Sequence, residues 1–269
     1  MQLSSLDQIT AQYRHIYLQP HYDDAALSCG GTIALQTSTG QRALIVTVFG
    51  DMPSSTADIG GFARQVQRDQ WGMGDDPAEV VRQRRQEDTA AADLLGADTL
   101  WLDFPEALYR GAPALYETEE ALFGAVHARD QRLEEDLEQV FLNIHERAPL
   151  AVLYAPLGIG HHVDHQICCS AADRLAQRKI AVKFFEDFPY VAQPHALQSR
   201  QNELQIAMEP EVVEVSGLTR LREEAIAQYA SQIRQLFGSR ERLHQQLRDY
   251  STSIRRTYPG IEIERYWRW

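Results

Sequence analysis

Short apolar runs alternate along the chain with longer segments whose apolar positions repeat at helical spacing. The apolar runs predict five strands, at residues 15–19, 43–49, 99–102, 151–155 and 181–186. The segments between them predict helices at residues 30–39, 77–95, 129–146 and 163–177. This regular alternation is typical of a largely parallel sheet that is covered by helices on both faces.

The last third of the sequence departs from this alternation. It predicts one short strand at residues 212–215 and one helix at residues 218–237, followed by an aromatic-rich tail. Residues 50–76 and 103–118 are rich in helix and strand breakers, so they are predicted loops. We therefore expect a single α/β domain over residues 1–269. A mostly parallel, Rossmann-like sheet would occupy residues 13–190, and a C-terminal elaboration would occupy residues 191–269.

Composition and charge narrow the class of protein. The 269 residues include 26 basic and 38 acidic side chains, and a net charge of −12 disfavours a nucleic-acid partner. No apolar run approaches the roughly 20 residues that a membrane span needs, and no signal-peptide pattern is seen. The three cysteines, two of them adjacent, make no disulfide framework. These features predict a cytoplasmic protein, and they leave homo-oligomerisation open.

Two turns that follow predicted strands carry metal-binding residue types. The first strand leads into Pro20-His21-Tyr22-Asp23-Asp24, and the fourth leads into Gly160-His161-His162-Val163-Asp164-His165. Parallel strands bring such turns to the same edge of a sheet, where open α/β sheets bind their ligands. A catalytic zinc takes three protein ligands and leaves one position for water. His21, Asp24 and His165 supply such a set.

The neighbours of these three residues suit a hydrolytic reaction. Asp23 adjoins a ligand and could take a proton from water whose pKa the metal lowers towards about 7. His162 could donate to an oxyanion or protonate a leaving amine. Asp164 could orient one of the imidazoles, because ligand and catalytic histidines usually need a hydrogen-bond acceptor behind them.

Simpler interpretations exist for the same residues. A single His-x-x-His or His-x-x-Asp is more often a surface or core feature, whereas two such turns at strand ends favour a site. Asp23 and Asp24 could instead form a turn and cap a helix. The cysteines fit small buried helix residues. Cys168 lies three positions after His165, however, which leaves a cysteine-containing metal site open.

At these turns the chain resembles the PIG-L/LmbE-like zinc-dependent N-acetylglucosamine deacetylases. That family's first motif, (A/P)-H-P-D-D-E, corresponds to Pro20-His21-Tyr22-Asp23-Asp24-Ala25, and its second, H-P-D-H, corresponds to His162-Val163-Asp164-His165. Its R-x-x-E helix is similar to Arg84-Arg85-Gln86-Glu87. The resemblance covers residues 13–190 and continues more weakly through Tyr229-Ala230-Ser231-Gln232.

The resemblance implies a role for each matched residue. His21, Asp24 and His165 would hold Zn²⁺ or another divalent transition metal. Asp23 would be the general base, and His162, with Asp164 behind it, would stabilise the tetrahedral intermediate. Arg84 and Glu106 would bind the substrate. Arg85 is the alternative to Arg84, and a solvated face is an equally good explanation of this charged helix.

Three positions depart from the family motifs. Tyr22 and Val163 replace prolines, and we expect these replacements to loosen both turns. Ala25 replaces a glutamate, so any contact from that carboxylate is absent. We expect these departures to affect substrate preference more than the chemistry.

The expected function is that of a zinc-dependent hydrolase. It would remove the acetyl group from a small N-acetylglucosamine-type sugar or sugar conjugate, with metal-activated water and Asp23 as general base. The alternatives are a metal-dependent amidase on a non-sugar N-acyl amine and a catalytically inactive metal-holding binding protein. The intact Asp23 argues against the second alternative. The absence of a G-x-G-x-x-G loop disfavours a dinucleotide-dependent oxidoreductase.

Overall fold

Eight strands form one sheet in the computed structural model, which describes residues 1–255, 257 and 261–269. The strands are β1 Gln2–Leu3, β2 Tyr13–Gln19, β3 Arg42–Thr47, β4 Asp98–Trp101, β5 Val152–Pro156, β6 Val182–Phe185, β7 Glu209–Glu214 and β8 Ile263–Arg268. Their order across the sheet is β1-β4-β3-β2-β5-β6-β8-β7, and β8 alone in this sheet runs antiparallel to its neighbours. The predicted α/β class with a mostly parallel sheet is confirmed.

Helices cover both faces of this sheet. They are α1 Asp24–Ser38, α2 Gly60–Gln65, α3 Pro77–Leu95, α4 Glu119–Leu122, α5 Leu133–Arg147, α6 Val163–Gln177, α7 Ala196–Leu204, α8 Thr219–Ile226, α9 Ala230–Leu236 and α10 Arg240–Arg255. Helices α1, α3 and α8 pack together, and α5 packs on α6. The β2-α1-β3 and β5-α6-β6 crossovers run in opposite directions, so right-handed connections place α1 and α6 on opposite faces. No helix in the described part of the chain is long and apolar enough to cross a membrane.

The strand order reverses between β2 and β5. Strands β3 and β4 lie on one side of β2, whereas β5 and β6 lie on the other. The connections that leave β2 and β5 therefore diverge and open a crevice at the carboxyl edge of the sheet, where ligands bind in folds of this type. The two turns singled out by the sequence follow these two strands.

Several elements differ from the sequence prediction. Helix α1 begins at Asp24 rather than near residue 30, because the backbone N–H of Leu27 already donates to the carbonyl of Asp23 at 2.9 Å. Residues 50–76, predicted as a loop, contain α2 and a wider π-helical turn at Val66–Gln70. These turns pack into a side cluster of buried apolar residues, separate from the main core. Its members are Ile59, Ala63, Val66, Trp71, Val80, Ala107, Leu108, Tyr116, Leu122 and Val163.

The C-terminal region is part of the sheet and not an addition to it. The aromatic tail forms β8, which lies between β6 and β7. The predicted helix at residues 218–237 is two helices, α8 and α9, and α7 and α10 were not predicted. The break serves contacts with α3: the Tyr229 hydroxyl donates to Asp88 at 3.2 Å, and the Ser231 hydroxyl donates to Glu87 at 2.6 Å.

Gly30 and Gly31 let the C-terminal region approach α1 closely. A Cβ atom at Gly30 would lie 2.9 Å from Cγ of Arg222, and one at Gly31 would lie 2.8 Å from Oε1 of Glu264. The Glu264 carboxylate also accepts hydrogen bonds of 2.8 Å from the backbone N–H groups of Gly31 and Thr32. The glycine pair therefore serves close contact of α1 with Arg222 of α8 and with Glu264 in strand β8 of the sheet.

Replacing Gly31 by alanine is expected to lower the free energy of unfolding by about 1–3 kcal/mol, the usual cost of overpacking. The added methyl group would also meet Cβ of Val215 at 2.9 Å. Urea unfolding followed by circular dichroism measures the change. Gly61 in α2 is the matched control, since no heavy atom lies within 4 Å of a Cβ built there. Gly61→Ala should leave the stability unchanged or raise it by up to about 1 kcal/mol, and an equal loss in both variants would contradict the packing argument.

Candidate active site

A cavity of about 1000 Å³ opens at the crevice between β2 and β5. Its inner end is lined by the side chains of His21, Asp23, Asp24, His162 and His165, which come from the two strand-end turns. Its outer walls are formed by the segment around α2 and by α9 and α10. The volume is at the upper end of the range for small-molecule sites. The topology thus collects five of the predicted site residues at one end of a ligand-sized cavity.

Three of these residues present ligand atoms at the spacing of a metal site. Oδ2 of Asp24 lies 3.4 Å from Nε2 of His165 and 3.7 Å from Nδ1 of His21. A tetrahedral centre with bonds of about 2.0–2.1 Å separates its ligand atoms by about 3.3–3.4 Å. The spacing therefore fits a divalent ion of the size of zinc.

The wider cluster of candidate ligands consists of histidines. Ring nitrogens of His21, His162 and His165 lie within 4.8 Å of one another, and all three residues are buried. Cys168 is a free, buried cysteine. Among the residues that the structure describes, it does not belong to this cluster. The site therefore presents imidazole nitrogens and carboxylate oxygens, without a thiol.

Two carboxylates fix which nitrogen each ligand histidine presents. Nε2 of His21 lies 3.0 Å from Oδ2 of Asp164, and Nδ1 of His165 lies 2.7 Å from Oδ1 of Asp187. An ionised carboxylate only accepts, so these nitrogens carry the ring protons. In the neutral form of each ring, the lone pairs of His21 Nδ1 and His165 Nε2 therefore face Asp24.

The electrostatics of the inner cavity favour a positive charge beside His165. Burial alone would lower the pKa of His165, but Asp24 and Asp187 outweigh burial and raise it to about 9. A neutral histidine at this position therefore sits in a field that attracts a cation. The donor set, its spacing and this field agree in fitting a metal ion.

His162 differs from the other two histidines. It precedes α6 and caps that helix, because its Nδ1 accepts a hydrogen bond of 3.2 Å from the backbone N–H of Asp164. Burial, followed by the charge of His21, lowers the pKa of His162 well below its usual value, so the ring is neutral. A neutral ring that accepts at Nδ1 carries its proton at Nε2. His162 is thus a hydrogen-bond donor towards the cavity.

The Asp164 carboxylate contacts His21, which corrects the expectation that it lies behind His162. It also accepts hydrogen bonds from the backbone N–H of Ala107 at 2.9 Å and from Arg110 at 2.5 Å. Burial would raise the pKa of Asp164, but Arg110 and the bond with His21 outweigh burial and hold it well below the usual range. Asp164 is therefore a fixed, ionised acceptor for the His21 ring.

Asp23 presents its carboxylate to the cavity. It is 5% exposed, lines the cavity and precedes Asp24. Over residues 1–255, 257 and 261–269, no other side chain donates a hydrogen bond to the Asp23 carboxylate. Burial, followed by the charge of Asp24, raises the pKa of Asp23 to about 6. Its carboxylate is therefore available to a molecule in the cavity.

Arg84 and Glu106 lie in the same cavity. The Arg84 guanidinium is held between two aromatic rings, with Cζ 4.6 Å from the Trp71 centroid and 5.2 Å from the Tyr22 centroid. It donates to Glu106 at 2.7 Å, and both residues of the pair are buried. Arg85, the alternative from the sequence, lies outside this cavity and donates to a backbone carbonyl. Arg84 thus lines the cavity, whereas Arg85 does not.

The two proline replacements are tightly packed. Tyr22 is 1% exposed, and its hydroxyl donates to the carbonyl of Gly50 at 3.0 Å. Val163 is fully buried in the side cluster. The expectation of looser turns disagrees with this packing, because a buried side chain restrains the backbone that a proline ring would otherwise restrain.

Asp187 had no predicted role in the site, although residues 186–190 are similar to a substrate loop of the PIG-L/LmbE-like family, and the outer walls were not predicted. Asp187 lies two residues after the end of β6, at the carboxyl edge that supplies the other site residues, so the strand-end argument would have included it. The walls are joined across the cavity, because the Trp71 indole N–H donates to Gln235 of α9 at 2.5 Å. No local pattern links these two residues, which lie 164 positions apart.

The fold and the cavity together define a Rossmann-like α/β enzyme with a histidine- and carboxylate-lined site at the carboxyl edge of its sheet. The chain belongs to the PIG-L family, since the family model described as GlcNAc-PI de-N-acetylase matches residues 16–176.

Named relatives support an N-deacetylase. The chain is 31% identical over 234 residues to 2'-N-acetylparomamine deacetylase of Niallia circulans, covering 83% of this chain and 82% of that protein. It is 28% identical to the Streptomyces fradiae enzyme of the same name, covering 81% of this chain and 73% of that protein. The zinc-inhibited form of teicoplanin deacetylase Orf2 superposes with a TM-score of 0.79 at 25% identity, covering 94% of this chain and 97% of that chain. The protein is therefore an N-deacetylase of the PIG-L type.

Proposed function

We propose that this protein is a zinc-dependent hydrolase that removes the acetyl group from an N-acetylated amino sugar or its conjugate. One observation carries the proposal. Oδ2 of Asp24 lies 3.7 Å from Nδ1 of His21 and 3.4 Å from Nε2 of His165, which is the spacing of a metal site. The Asp23 carboxylate lines the cavity beside them.

The ligands of the ion would be Nδ1 of His21, a carboxylate oxygen of Asp24 and Nε2 of His165. A zinc ion held there would supply Lewis-acid polarisation of the amide and a lower pKa for water. His162 is not assigned as a ligand, because its Nδ1 lone pair already accepts from Asp164 and its Nε2 carries the proton. The two nitrogens and one oxygen correspond to a common catalytic zinc set.

Asp23 would transfer the protons in the reaction, and His162 would stabilise the negative charge that develops. Asp23 accepts a proton from water as the water oxygen attacks the amide carbonyl carbon. The Nε2–H of His162 donates to the oxygen that becomes negative. As the C–N bond breaks, Asp23 returns the proton to the nitrogen, and acetate and a free amine leave.

Arg84 and Glu106 would bind the hydroxyl groups of the sugar. Their mutual hydrogen bond of 2.7 Å and the rings of Trp71 and Tyr22 hold the pair in place before a substrate arrives. A fixed charged pair can donate from one side and accept from the other, which suits neighbouring hydroxyls. Both residues line the cavity that also contains Asp23, so a bound sugar would contact this pair while its acetyl group lies near Asp23.

The outer part of the cavity favours a positively charged substituent on the sugar. Three exposed carboxylates, those of Asp69, Glu119 and Asp249, line it. Their negative charge is offset in part by the exposed guanidinium of Arg234, which also lines the cavity. Excess negative charge in a cleft raises the local concentration of cationic ligands. Both curated relatives are named for 2'-N-acetylparomamine. The substrate proposed for this chain is accordingly a cationic conjugate of an N-acetylated amino sugar.

A substrate panel tests the proposal. The zinc-loaded protein is assayed for acetate release from 2'-N-acetylparomamine, N-acetylglucosamine, an N-acetylated glycopeptide and a non-sugar N-acetyl amine. The expected kcat/KM is at least about tenfold higher for the cationic conjugate than for neutral N-acetylglucosamine, and added salt should reduce the difference by screening.

Two results would contradict it. Preferential cleavage of the non-sugar amide would indicate a general amidase. Zinc binding without acetate release from any compound would indicate a binding protein.

A further inference from the structure

We infer that Asp187 is a positioning residue for the metal site, which fixes His165 so that Nε2 is the atom offered to the ion. The inference rests on the proposed function, because it presupposes an ion between His21, Asp24 and His165. It concerns a residue outside the two sequence motifs, at the end of a third strand.

Both oxygens of the Asp187 carboxylate are used. Oδ1 lies 2.7 Å from Nδ1 of His165, and Oδ2 accepts a hydrogen bond of 2.9 Å from the backbone N–H of Ile159. Asp187 is 2% exposed, so water does not compete with either contact. The buried Asp187 carboxylate thereby links the His165 ring, which is on α6, to the turn that precedes α6.

That turn needs an external restraint. Gly158 and Gly160 have φ angles of +79° and +91°, and His161, which is not a glycine, has a φ of +65°. Left-handed backbone of this kind is kept in place by its surroundings. The Ile159 N–H lies in the middle of this stretch and donates to Asp187. The carboxylate therefore holds the backbone leading to His162 as well as the His165 ring.

The backbone that carries Asp187 is itself held by the C-terminal region. The preceding residue, Glu186, accepts hydrogen bonds from Trp267 at 2.8 Å and from Arg265 at 2.5 Å, both in β8. The Tyr250 hydroxyl of α10 donates to the same carboxylate. Asp187 is thus fixed before any ion binds, so little reorganisation is needed on binding.

Loss of this carboxylate has two consequences. The buried Nδ1–H of His165 loses its negatively charged acceptor, which makes Nε2 a weaker base and frees the ring to rotate. Acceptors behind a ligand histidine typically contribute 10–100-fold to metal affinity. Asparagine in place of Asp187 keeps the shape but removes the charge and one acceptor, whereas alanine removes both contacts.

Zinc affinity measured by competition with a chelator tests the inference without an activity assay. Asp187→Asn and Asp187→Ala are expected to raise the zinc Kd by about 10–100-fold. The d–d absorption of the cobalt-loaded variants should change as the His165 ring loses its fixed orientation. Asp173→Asn is the matched control. Asp173 lies on α6 with His165, accepts from Trp269 at 2.6 Å and Gln177 at 2.7 Å, and should leave both readouts unchanged.

The outcomes separate the two proposals. A wild-type protein that binds no zinc would overturn the proposed function. A wild type that binds zinc, with Asp187 variants of equal affinity and unchanged cobalt spectrum, would overturn the role of Asp187 alone. Should both variants fail to fold, ¹H–¹⁵N spectra of the zinc-loaded wild type decide the matter. They must show His165 protonated at Nδ1, and protonation at Nε2 would contradict the inference.

Discussion

Asparagine at position 23 is expected to lower kcat by about 10²–10⁴-fold, the usual contribution of a general base. The Asp23 carboxylate lines the cavity and receives no hydrogen bond from another side chain in the described ranges, so the substitution removes a proton acceptor and little else. Asparagine has nearly the same shape but cannot take a proton from water. Acetate release at saturating substrate gives kcat, and elemental analysis should show an unchanged zinc content.

Two further variants make this result specific. Asp24→Ala removes a proposed ligand, so it should lose zinc and activity together. Asp88→Asn neutralises another buried carboxylate, on α3, which accepts from Trp101 at 2.7 Å and does not line the cavity. Its kcat should stay close to that of the wild type. An Asp23→Asn protein with wild-type kcat would show that another group is the base.

Removal of the metal is expected to reduce activity by about 10³-fold or more. Lewis-acid polarisation contributes several kcal/mol to such reactions, and each 1.36 kcal/mol corresponds to a factor of ten. The proposed ligands of the ion are Asp24, His21 and His165, with Asp24 Oδ2 3.7 Å from His21 Nδ1 and 3.4 Å from His165 Nε2. One equivalent of zinc should restore the rate.

The experiment is dialysis against a chelator followed by titration with zinc, with acetate release measured at each point. Magnesium serves as the control ion, because it binds imidazole nitrogen poorly and should restore nothing. Thermal unfolding gives an independent readout, since bound zinc at 100 times its Kd stabilises by about 2.7 kcal/mol. Full activity in protein shown to be metal-free would rule out the mechanism.

The central part of the fold could be predicted because buried parallel strands are recognisable locally. Residues 43–49 form an almost continuous apolar run, and the observed strand is Arg42–Thr47. The proximity of the two turns followed from the same alternation, since it placed both after parallel strands. The structure brings His165 to within 3.4 Å of Asp24. The site therefore followed from topology and residue type together.

The remaining features depend on partners that are distant in sequence. The resemblance implied that Asp164 lies behind His162, whereas the fold places its carboxylate 3.0 Å from His21, 143 positions away. The break between α8 and α9 coincides with hydrogen bonds from Tyr229 and Ser231 to Asp88 and Glu87 on α3, which lie 141 and 144 positions earlier in the sequence. In strand β8, charged residues flank the adjacent aromatic residues Tyr266 and Trp267, and its pairing with β6 and β7 has no local signature.

The position of β8 has a consequence for biosynthesis. Strand β7 pairs only with β8 within this sheet, and β6 has β8 as its outer neighbour. Until Ile263–Arg268 has left the ribosome, β6 is therefore an open edge, and Glu186 lacks its contacts with β8. We therefore expect a nascent chain to lack the support that β8 gives to Glu186, the neighbour of Asp187, until Ile263–Arg268 has been translated.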